Sequence, residues 1–178
     1  MPVDMKEKIA EAARKLVMEK NVKKLTVKDI VEECNITRQA FYYHFEDIPA
    51  LFRWILEKDT ERLFNEVRAQ ADPEQGLRYF FKMAVNVAPY VRRGMESGYR
   101  YELEHMLTQY LYRFFEKVIE EENLYQGSSY YEIRLIMRYH SQAEMGILRE
   151  WTEEDTKNLD RIVHEVYLLM AGKVTPRS

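Results

Sequence analysis

Three neighbouring side chains near the N-terminus have the chemistry to read the edges of DNA bases. They are Arg38, Gln39 and Tyr43. An arginine guanidinium forms paired hydrogen bonds with O6 and N7 of guanine, and a glutamine amide forms them with N6 and N7 of adenine. In a helix, Phe41 and Phe45 stand four residues apart and can share a buried face, which leaves the other three side chains pointing elsewhere. We therefore predict that Arg38, Gln39 and Tyr43 contact bases.

A second group of side chains has the chemistry to bind phosphates. Hydroxyl and cationic groups contact phosphate oxygens, and such contacts position a protein on the duplex without specifying its sequence. The candidates are Lys24, Thr26, Lys28, Thr37, Tyr42 and His44. Tyr42 is the ambiguous member, because its ring could instead pack partly in the core. The alternative for both groups is a solvated helix face with its caps.

Two short helices joined by a tight turn must position these residues. Apolar residues at i, i+3, i+4 and i+7 predict the buried face of the first helix; they are Val27, Ile30, Val31 and Cys34. Thr26 is its expected N-cap, with Asp29 as a capping-box-like partner. Asn35 lies where the chain must reverse, because asparagine tolerates the left-handed conformation, and Thr37 can cap the second helix. The pattern predicts a helix-turn-helix, whose second helix lies in the DNA major groove.

The rest of the chain is also predicted to be helical. Only 6 Gly and 5 Pro, with 46% hydrophobic and 32% charged residues, favour an all-α protein with a substantial core. Thr152 and Asp155 are expected to form a capping box between the last two helices, which predicts that these pack antiparallel. Pro89 is expected to kink or end the helix that contains it. The predicted helices span roughly residues 5–20, 27–34, 38–45, 47–71, 74–93, 99–124, 130–151 and 153–171.

Charge and cysteine content narrow the possible classes. The net charge is -3, yet residues 1–45 hold two more basic than acidic side chains and the remainder is acidic, so the asymmetry has the sign that DNA binding needs but is weak. The single cysteine excludes an internal disulfide and a CxxC site. No apolar run approaches the roughly 18 residues of a membrane span, and the N-terminus lacks an apolar signal core. The expected compartment is the cytoplasm.

The N-terminal pattern resembles the TetR (tetracycline repressor) family of transcriptional regulators over about Ile9 to Phe52. The residues that carry the resemblance are the Thr26-Val27-Lys28-Asp29-Ile30 start, the Asn35-Ile36-Thr37-Arg38 turn and the Tyr42-Tyr43-His44-Phe45 block, followed by an Asp-capped helix with Leu51. Two positions depart from the family pattern. Asn35 replaces the usual glycine of the turn. Ile48 replaces the usual lysine, so one common phosphate contact is expected to be missing.

The resemblance implies a homodimer of all-α subunits without a cofactor. Residues 1–46 would form the DNA-binding domain, and residues 47–178 a regulatory and dimerisation domain whose last two helices pair across a two-fold axis. The implied function is a ligand-responsive repressor of a palindromic double-stranded operator. The chain is also similar to regulators of dihydroxyacetone-kinase operons, which leaves as the alternative an activator or interaction module that is controlled by a protein co-regulator rather than a small ligand. A helical enzyme or binding protein with an incidental helix-turn-helix is a further alternative.

His140 and Glu144 form a polar pair on an otherwise apolar helical stripe. One interpretation is a ligand pocket between helices, with polar and apolar neighbours completing it. The candidate ligand residues are Tyr79, Met83, Tyr99, Arg134, Met137, Arg138, His140 and Glu144. The alternatives are a hydrogen-bonded interior histidine or polar residues at the dimer interface. His140 and Glu144 could both coordinate a metal ion, but no third coordinating side chain accompanies them, so a metal site is the weaker interpretation.

The sequence shows no pattern of catalytic residues. It has no nucleophile triad, no phosphate-binding glycine loop and no HExxH motif. Cys34 is the only thiol, and its place on the apolar face of a helix predicts a buried core residue rather than a nucleophile.

Overall fold

A computed structural model describes residues 4–19, 25–70, 72–96, 99–121, 125–171 and 173. Their regular secondary structure is entirely helical, which confirms the all-α fold class. The chain divides into two compact units. Unit 1 comprises Met1–Lys58 and Pro89–Leu107, and unit 2 comprises Asp59–Ala88 and Thr108–Ser178. The predicted domain boundary at residue 46 separates two functions, whereas these two units are defined by their packing. That boundary therefore stays a prediction.

Unit 1 contains the helix-turn-helix. Its helices are α1 (Met5–Met18), α2 (Val27–Cys34), α3 (Arg38–His44) and the first part of α4 (Ile48–Arg68). They enclose one apolar core that includes Ile9, Leu16, Ile30, Phe41 and Leu51. The predicted apolar face of α2 is confirmed, because Ile30, Val31 and Cys34 are all buried.

Side-chain caps set where these short helices begin. Thr26 and Asp29 form the reciprocal capping box that the sequence predicts, with the Asp29 N–H donating to Thr26 Oγ1 and the Thr26 N–H donating to the Asp29 carboxylate. The Ala40 N–H donates to Thr37 Oγ1 at 3.1 Å and so caps α3. The predicted caps at Asp47 and Thr152 are confirmed by the same kind of bond, and Asp4 caps α1 in the same way. A cap satisfies backbone donors that would otherwise lack a partner, which fixes the first residue of each helix.

Unit 2 has an aromatic core. It is built from the second part of α4, from parts of α5 (Pro73–Glu96) and α6 (Arg100–Glu121), and from α7 (Tyr130–Arg149), α8 (Glu153–Lys157) and α9 (Leu159–Met170). Phe80 stacks on Phe114 with ring centroids 5.2 Å apart, and Phe81 packs on Trp151 at 5.7 Å. α7 starts at a capping box of Ser129 and Glu132 that the sequence analysis missed.

Two helix boundaries differ from the predictions. α5 runs through position 89 to Glu96, so of the two effects expected of Pro89, a kink or an end, the helix does not end there; a proline removes one backbone donor, and the helix continues on both sides of it. The predicted last helix is interrupted at Asn158, which separates α8 from α9. The Asn158 side chain donates to the backbone oxygen of Glu154 at 2.9 Å, and asparagine competes in this way with helical hydrogen bonding.

None of the helices in the described part of the chain is both long and apolar enough to cross a membrane.

Asn35 ends α2 in the left-handed conformation, with φ 54° and ψ 53°. We predict that Asn35→Val lowers the free energy of unfolding by about 1–2 kcal/mol, because a β-branched residue is strained there. Asn35→Gly should stay within about 0.5 kcal/mol of the original protein, since glycine fits this conformation but gains entropy in the unfolded chain. Urea unfolding measures both. The control is Asn65→Val at an exposed, regular position of α4, and equal losses at positions 35 and 65 would contradict the argument.

Candidate functional site

The outward face of α3 carries the predicted base-reading residues. Arg38 and Gln39 are exposed in the first turn, and Tyr43 has 84% of its surface exposed one turn later. Phe41 points the opposite way and is completely buried. The structure therefore brings Arg38, Gln39 and Tyr43 together on one solvent-facing surface, where hydrogen-bonding and aromatic groups are available to a large partner.

Tyr42 and His44 lie beside this surface. The Tyr42 ring meets Phe41 edge-on with centroids 5.5 Å apart, yet 56% of the residue is exposed. The expected packing of Tyr42 on the core is thus observed, while its contact with a phosphate stays a prediction that its exposure permits. His44 is half-buried, and its ring meets Tyr43 edge-on at 5.0 Å. Each of these side chains is oriented by an aromatic neighbour.

The two threonine caps differ in what they can still donate. Thr26 Oγ1 donates its only hydrogen to the Asp29 carboxylate at 2.6 Å, so that hydrogen is already used within the capping box. Thr37 Oγ1 accepts from the Ala40 N–H, and among the described residues its own hydrogen has no acceptor. Thr37 is thus the better placed of the two to donate to a phosphate.

Lys28 is exposed and lies 3.8 Å from Glu32 one turn later on α2. Such an exposed pair contributes little stability, so the ammonium group can exchange its partner for a phosphate at small cost. Lys24, the other predicted cationic contact, lies outside the described residues.

Two features beside α3 involve contacts that are distant in sequence. Lys6 of α1 places its Nζ 5.5 Å from the centre of the Phe45 ring, beside the end of α3. Lys6, His44 and Arg53 line one shallow depression there. No spacing in the sequence indicates this group of cationic side chains, because their proximity depends on how α1 and α4 pack around α3. Ile48 is buried in the core of unit 1, so an apolar side chain occupies the position where the family pattern has lysine.

In unit 2, the inward face of α7 carries part of the predicted ligand group. Met137, Ser141 and Glu144 are buried at helical spacing. His140 is half-buried; its Nε2 lies 3.4 Å from the Tyr125 hydroxyl, and its ring lies 6.2 Å from that of Phe115. Ser141 and Tyr125 were not among the predicted residues. A serine at i-3 from Glu144 is visible in the sequence, whereas the approach of Tyr125 requires the turn before α7.

The other predicted ligand residues lie elsewhere. Arg138 is exposed beside Leu135 and Tyr139, and Arg134 is exposed with its guanidinium 5.6 Å from the centre of the Tyr130 ring. Tyr99 belongs to unit 1, where it packs edge-on against Phe52. Tyr79 and Met83 lie on α5, half-buried and exposed respectively. The inward face of α7 therefore combines Met137, His140 and Glu144 without either arginine.

Burial dominates the electrostatics of this inward face. Glu144 is 1% exposed, and its Oε2 has no hydrogen-bond partner among the described residues. Removal from water penalises the charged carboxylate, so burial raises the pKa of Glu144 from 4.5 to about 7. For the same reason burial lowers the pKa of His140, which favours the neutral imidazole. The inward face of α7 is therefore rich in hydrogen-bond acceptors. Among Met137, His140, Ser141 and Glu144, no cationic side chain compensates the Glu144 carboxylate.

Cys34 is buried in the core of unit 1, as predicted. Burial raises the pKa of its thiol, which opposes formation of the nucleophilic thiolate. Among the described residues, no group of three or more His, Cys, Asp or Glu side chains is arranged to hold a metal ion.

An exposed polar and aromatic helix, held on its neighbour by a capped left-handed turn, has the architecture of a helix-turn-helix. Residues 9–55 match the model of the family described as bacterial regulatory proteins, tetR family. The resemblance stated from the sequence is therefore confirmed over residues 9–55, the part of the chain that the family model matches.

Individual relatives support the same assignment. The chain is 34% identical over 58 residues to the HTH-type dhaKLM operon transcriptional activator DhaS of Lactococcus lactis subsp. lactis (strain IL1403). This match covers 33% of the present chain and about a third (31%) of the length of that relative. The similarity to DhaS thus agrees with the sequence-based comparison to dihydroxyacetone-kinase operon regulators.

Solved structures extend the likeness in fold to nearly the whole chain. The dihydroxyacetone kinase operon activator DhaS aligns with a TM-score of 0.66 at 22% identity, covering 97% of both chains. Thermus thermophilus FadR, a TetR-family transcriptional repressor in complex with lauroyl-CoA, aligns with a TM-score of 0.60 at 18% identity and again covers 97% of both chains. The chain thus has the fold of these regulators.

The buried carboxyl of Glu144 predicts an unusual dependence of stability on pH. The folded protein holds this proton more tightly than the unfolded chain, so the contribution of Glu144 to stability is greatest below pH 4.5 and is lost as pH rises towards about 7. Relative to the original protein, Glu144→Gln should therefore gain about 2–3 kcal/mol in free energy of unfolding between pH 5 and pH 8. Urea unfolding at fixed protein concentration measures this difference.

The matched control is Glu150→Gln, which alters an exposed acid at the end of the same helix. Its stability relative to the original protein should stay flat over the same pH range. A flat profile for Glu144→Gln as well would mean that Glu144 is not held in a water-poor interior.

Proposed function

We propose that the chain is a transcriptional regulator that binds a palindromic double-stranded DNA operator as a homodimer. The observation that carries this proposal is the exposed set of Arg38, Gln39 and Tyr43 on the second helix of a tetR-family helix-turn-helix. Arg38 and Gln39 have the donor and acceptor patterns that distinguish guanine and adenine in the major groove. Thr37, Lys28, Tyr42 and His44 would contact the flanking phosphates.

The outward face of α7 supports the dimer. Leu135 and Tyr139 are exposed large residues one turn apart, and Ala143 continues the same stripe. Gly146 is also exposed, and a Cβ placed on it would meet nothing within 4 Å. An exposed apolar stripe with small residues is typical of a surface that a second helix covers. Pairing of this face with its own copy, together with α9, would generate a two-fold dimer.

A two-fold dimer sets the form of the operator. Symmetric α3 helices would read two half-sites in successive major grooves, about 34–36 Å apart. The weak basic charge of residues 1–45 makes two linked heads important, because each head neutralises few phosphates by itself.

The direction of regulation has two candidates. Ligand-relieved repression is the first, and FadR, with a similar fold, is described as a repressor in complex with an acyl-CoA. Activation is the second, and it is favoured by the similarity to DhaS, which is described as an operon activator. A reporter driven by the bound operator distinguishes the two, because deletion of the regulator raises expression in the first case and lowers it in the second.

Arg38→Ala should weaken operator binding by about 1–3 kcal/mol and relax the preference at one base position of each half-site, because a paired hydrogen bond to a base is lost. Lys28→Ala should instead weaken binding equally on all sequences and reduce the salt dependence. Gel-shift titrations against genomic fragments and their point variants, at several salt concentrations, measure both effects.

The control for these titrations is Lys82→Ala, which removes an exposed charge from α5 in unit 2 and should leave affinity unchanged. If Arg38→Ala alters only the salt dependence, Arg38 contacts phosphate rather than a base. Absence of specific binding by the original protein at every salt concentration, with and without candidate co-regulators, would overturn the regulator proposal.

Tyr139→Glu should convert the dimer to a monomer, because it places two buried charges near the symmetry axis of the proposed interface. Sedimentation equilibrium measures the molecular mass. Tyr101→Glu is the matched control, since Tyr101 is at least as exposed but lies on α6 in unit 1. A monomeric original protein, or a Tyr139→Glu variant that remains dimeric, would contradict the assignment of the outward face.

A further inference from the structure

The shallow depression at the end of α3 combines side chains from three helices. Lys6 comes from α1, His44 and Phe45 from the end of α3, and Arg53 and Trp54 from α4. All five belong to unit 1. The depression has a volume of about 260 Å³, whereas pockets that enclose small molecules span roughly 300–1,000 Å³. It therefore suits a single polar group at its surface rather than an enclosed ligand.

The charge of Lys6 is not used in an ion pair within the described part of the chain. Its Nζ lies 5.5 Å from the centre of the Phe45 ring, and Phe45 is buried in the core of unit 1. A cation above an aromatic face is attracted to it, but this contact leaves the N–H donors of the ammonium group available. Lys6 is therefore held in place by a rigid ring while it can still bind an anion.

Trp54 adds a second available donor to the same depression. Its ring meets Phe45 edge-on with centroids 6.0 Å apart, and the residue is half-buried. Among the described residues its indole N–H has no acceptor, and the nitrogen is not enclosed. An indole nitrogen can only donate, and a packed tryptophan usually finds an acceptor for it. An ammonium group and an indole N–H at one depression fit an anionic oxygen.

We propose that Lys6, His44 and Trp54, here called the Lys6 site, bind a backbone phosphate of the operator beside the base-reading surface. A phosphodiester carries one negative charge, and its oxygens accept hydrogen bonds from such donors. The His44 ring meets Tyr43 edge-on at 5.0 Å, so the Lys6 site begins where the base-reading surface ends. The inference rests on the proposed DNA-binding function and extends the protein–DNA contact to α1 and α4.

The first turn of α4 explains why a cation from α1 matters at this place. Residues 48–51 are Ile, Pro, Ala and Leu, so this turn offers no charged side chain to a phosphate. Ile48 is buried in the core, whereas Ala50 lines the same depression as Lys6. Lys6 would thus supply, from the neighbouring helix, the positive charge that the start of α4 lacks.

Two acids limit what the Lys6 site can bind by itself. Glu46 and Glu57 also line the depression, so their charges balance those of Lys6 and Arg53. A balanced group of charges attracts an anion weakly from a distance, because salt screens charges beyond about 10 Å. The Lys6 site would therefore hold a phosphate that the base-reading surface has already brought close. It also follows that removal of one of these acids should strengthen the contact.

Gel-shift titrations of the full chain with Lys6→Met test this contact, because methionine keeps an apolar stem on the Phe45 ring and removes the charge. Affinity for the operator should fall about tenfold at about 0.1 M salt, and the slope of log affinity against log salt should decrease by about 2, since each subunit of the dimer loses one phosphate contact. Lys6→Arg should restore both values. The matched control is Lys8→Met, which removes the same charge from α1 outside the depression and should keep affinity within about twofold.

Operators that carry a single uncharged methylphosphonate locate the contact. At one position of each half-site, this change should weaken binding by the original protein and leave binding by Lys6→Met unaltered, because the variant has already lost the cation that meets this charge. Trp54→Phe keeps a ring against Phe45 but lacks the N–H, so it should weaken binding about threefold. Glu57→Gln should instead strengthen binding at low salt, because a carboxylate beside the phosphate repels it.

The inference is overturned if Lys6→Met keeps the original affinity and salt slope, if Lys8→Met loses as much, or if every methylphosphonate affects Lys6→Met as it affects the original protein. In each case the original protein still binds the operator, so the proposed function would stand. Absence of operator binding by the original protein would overturn both. Urea unfolding verifies that the variants fold; if Lys6→Met does not, Lys6→Gln replaces it under the same criteria.

Discussion

The burial of Phe41 is the interaction on which the exposed surface of α3 depends. α3 has only seven residues, and an isolated helix of that length is not stable in water. Its orientation therefore comes from Phe41, which is fully buried, and from the Thr37 cap that starts it. Because Arg38 and Gln39 follow that cap immediately, their positions are fixed by packing on the opposite side of the same helix. Asn35 completes the constraint by setting where α2 ends.

In unit 2, α7 likewise has one face in the interior and the opposite face exposed. Its inward face carries Met137, Ser141 and Glu144 in the interior, and its outward face exposes Leu135 and Tyr139. A helix that is buried on one side and exposes large residues on the other has one packing surface inside unit 2 and a second that a partner could cover. The outer partner proposed here is a second copy of the chain. Any change on the inward face would thus reach the outer contact through a single rigid helix.

The sequence predicted local features well and nonlocal ones poorly. The caps at Thr26, Thr37 and Thr152 and the left-handed Asn35 were predicted correctly, because each depends on residues within one turn. Asn158 was missed because asparagine is compatible with a helix interior until its side chain bonds the preceding turn. The neighbourhoods of Lys6 with Phe45 and of Tyr125 with His140 involve separate elements, so no spacing in the sequence could indicate them.

The candidate ligand group illustrates the same limit. Periodicity correctly placed Met137 and Glu144 on one stripe, but it could not tell whether Arg134 and Arg138 turn inward to neutralise the acid. Both arginines are exposed, so neither neutralises the buried Glu144 carboxyl, and burial without a partner is what raises its pKa. A change on this face can affect a dimer only if it favours one arrangement of the two subunits over another. α7 would link the two, because the same helix carries Glu144 on its inward face and the proposed dimer contact on its outward face.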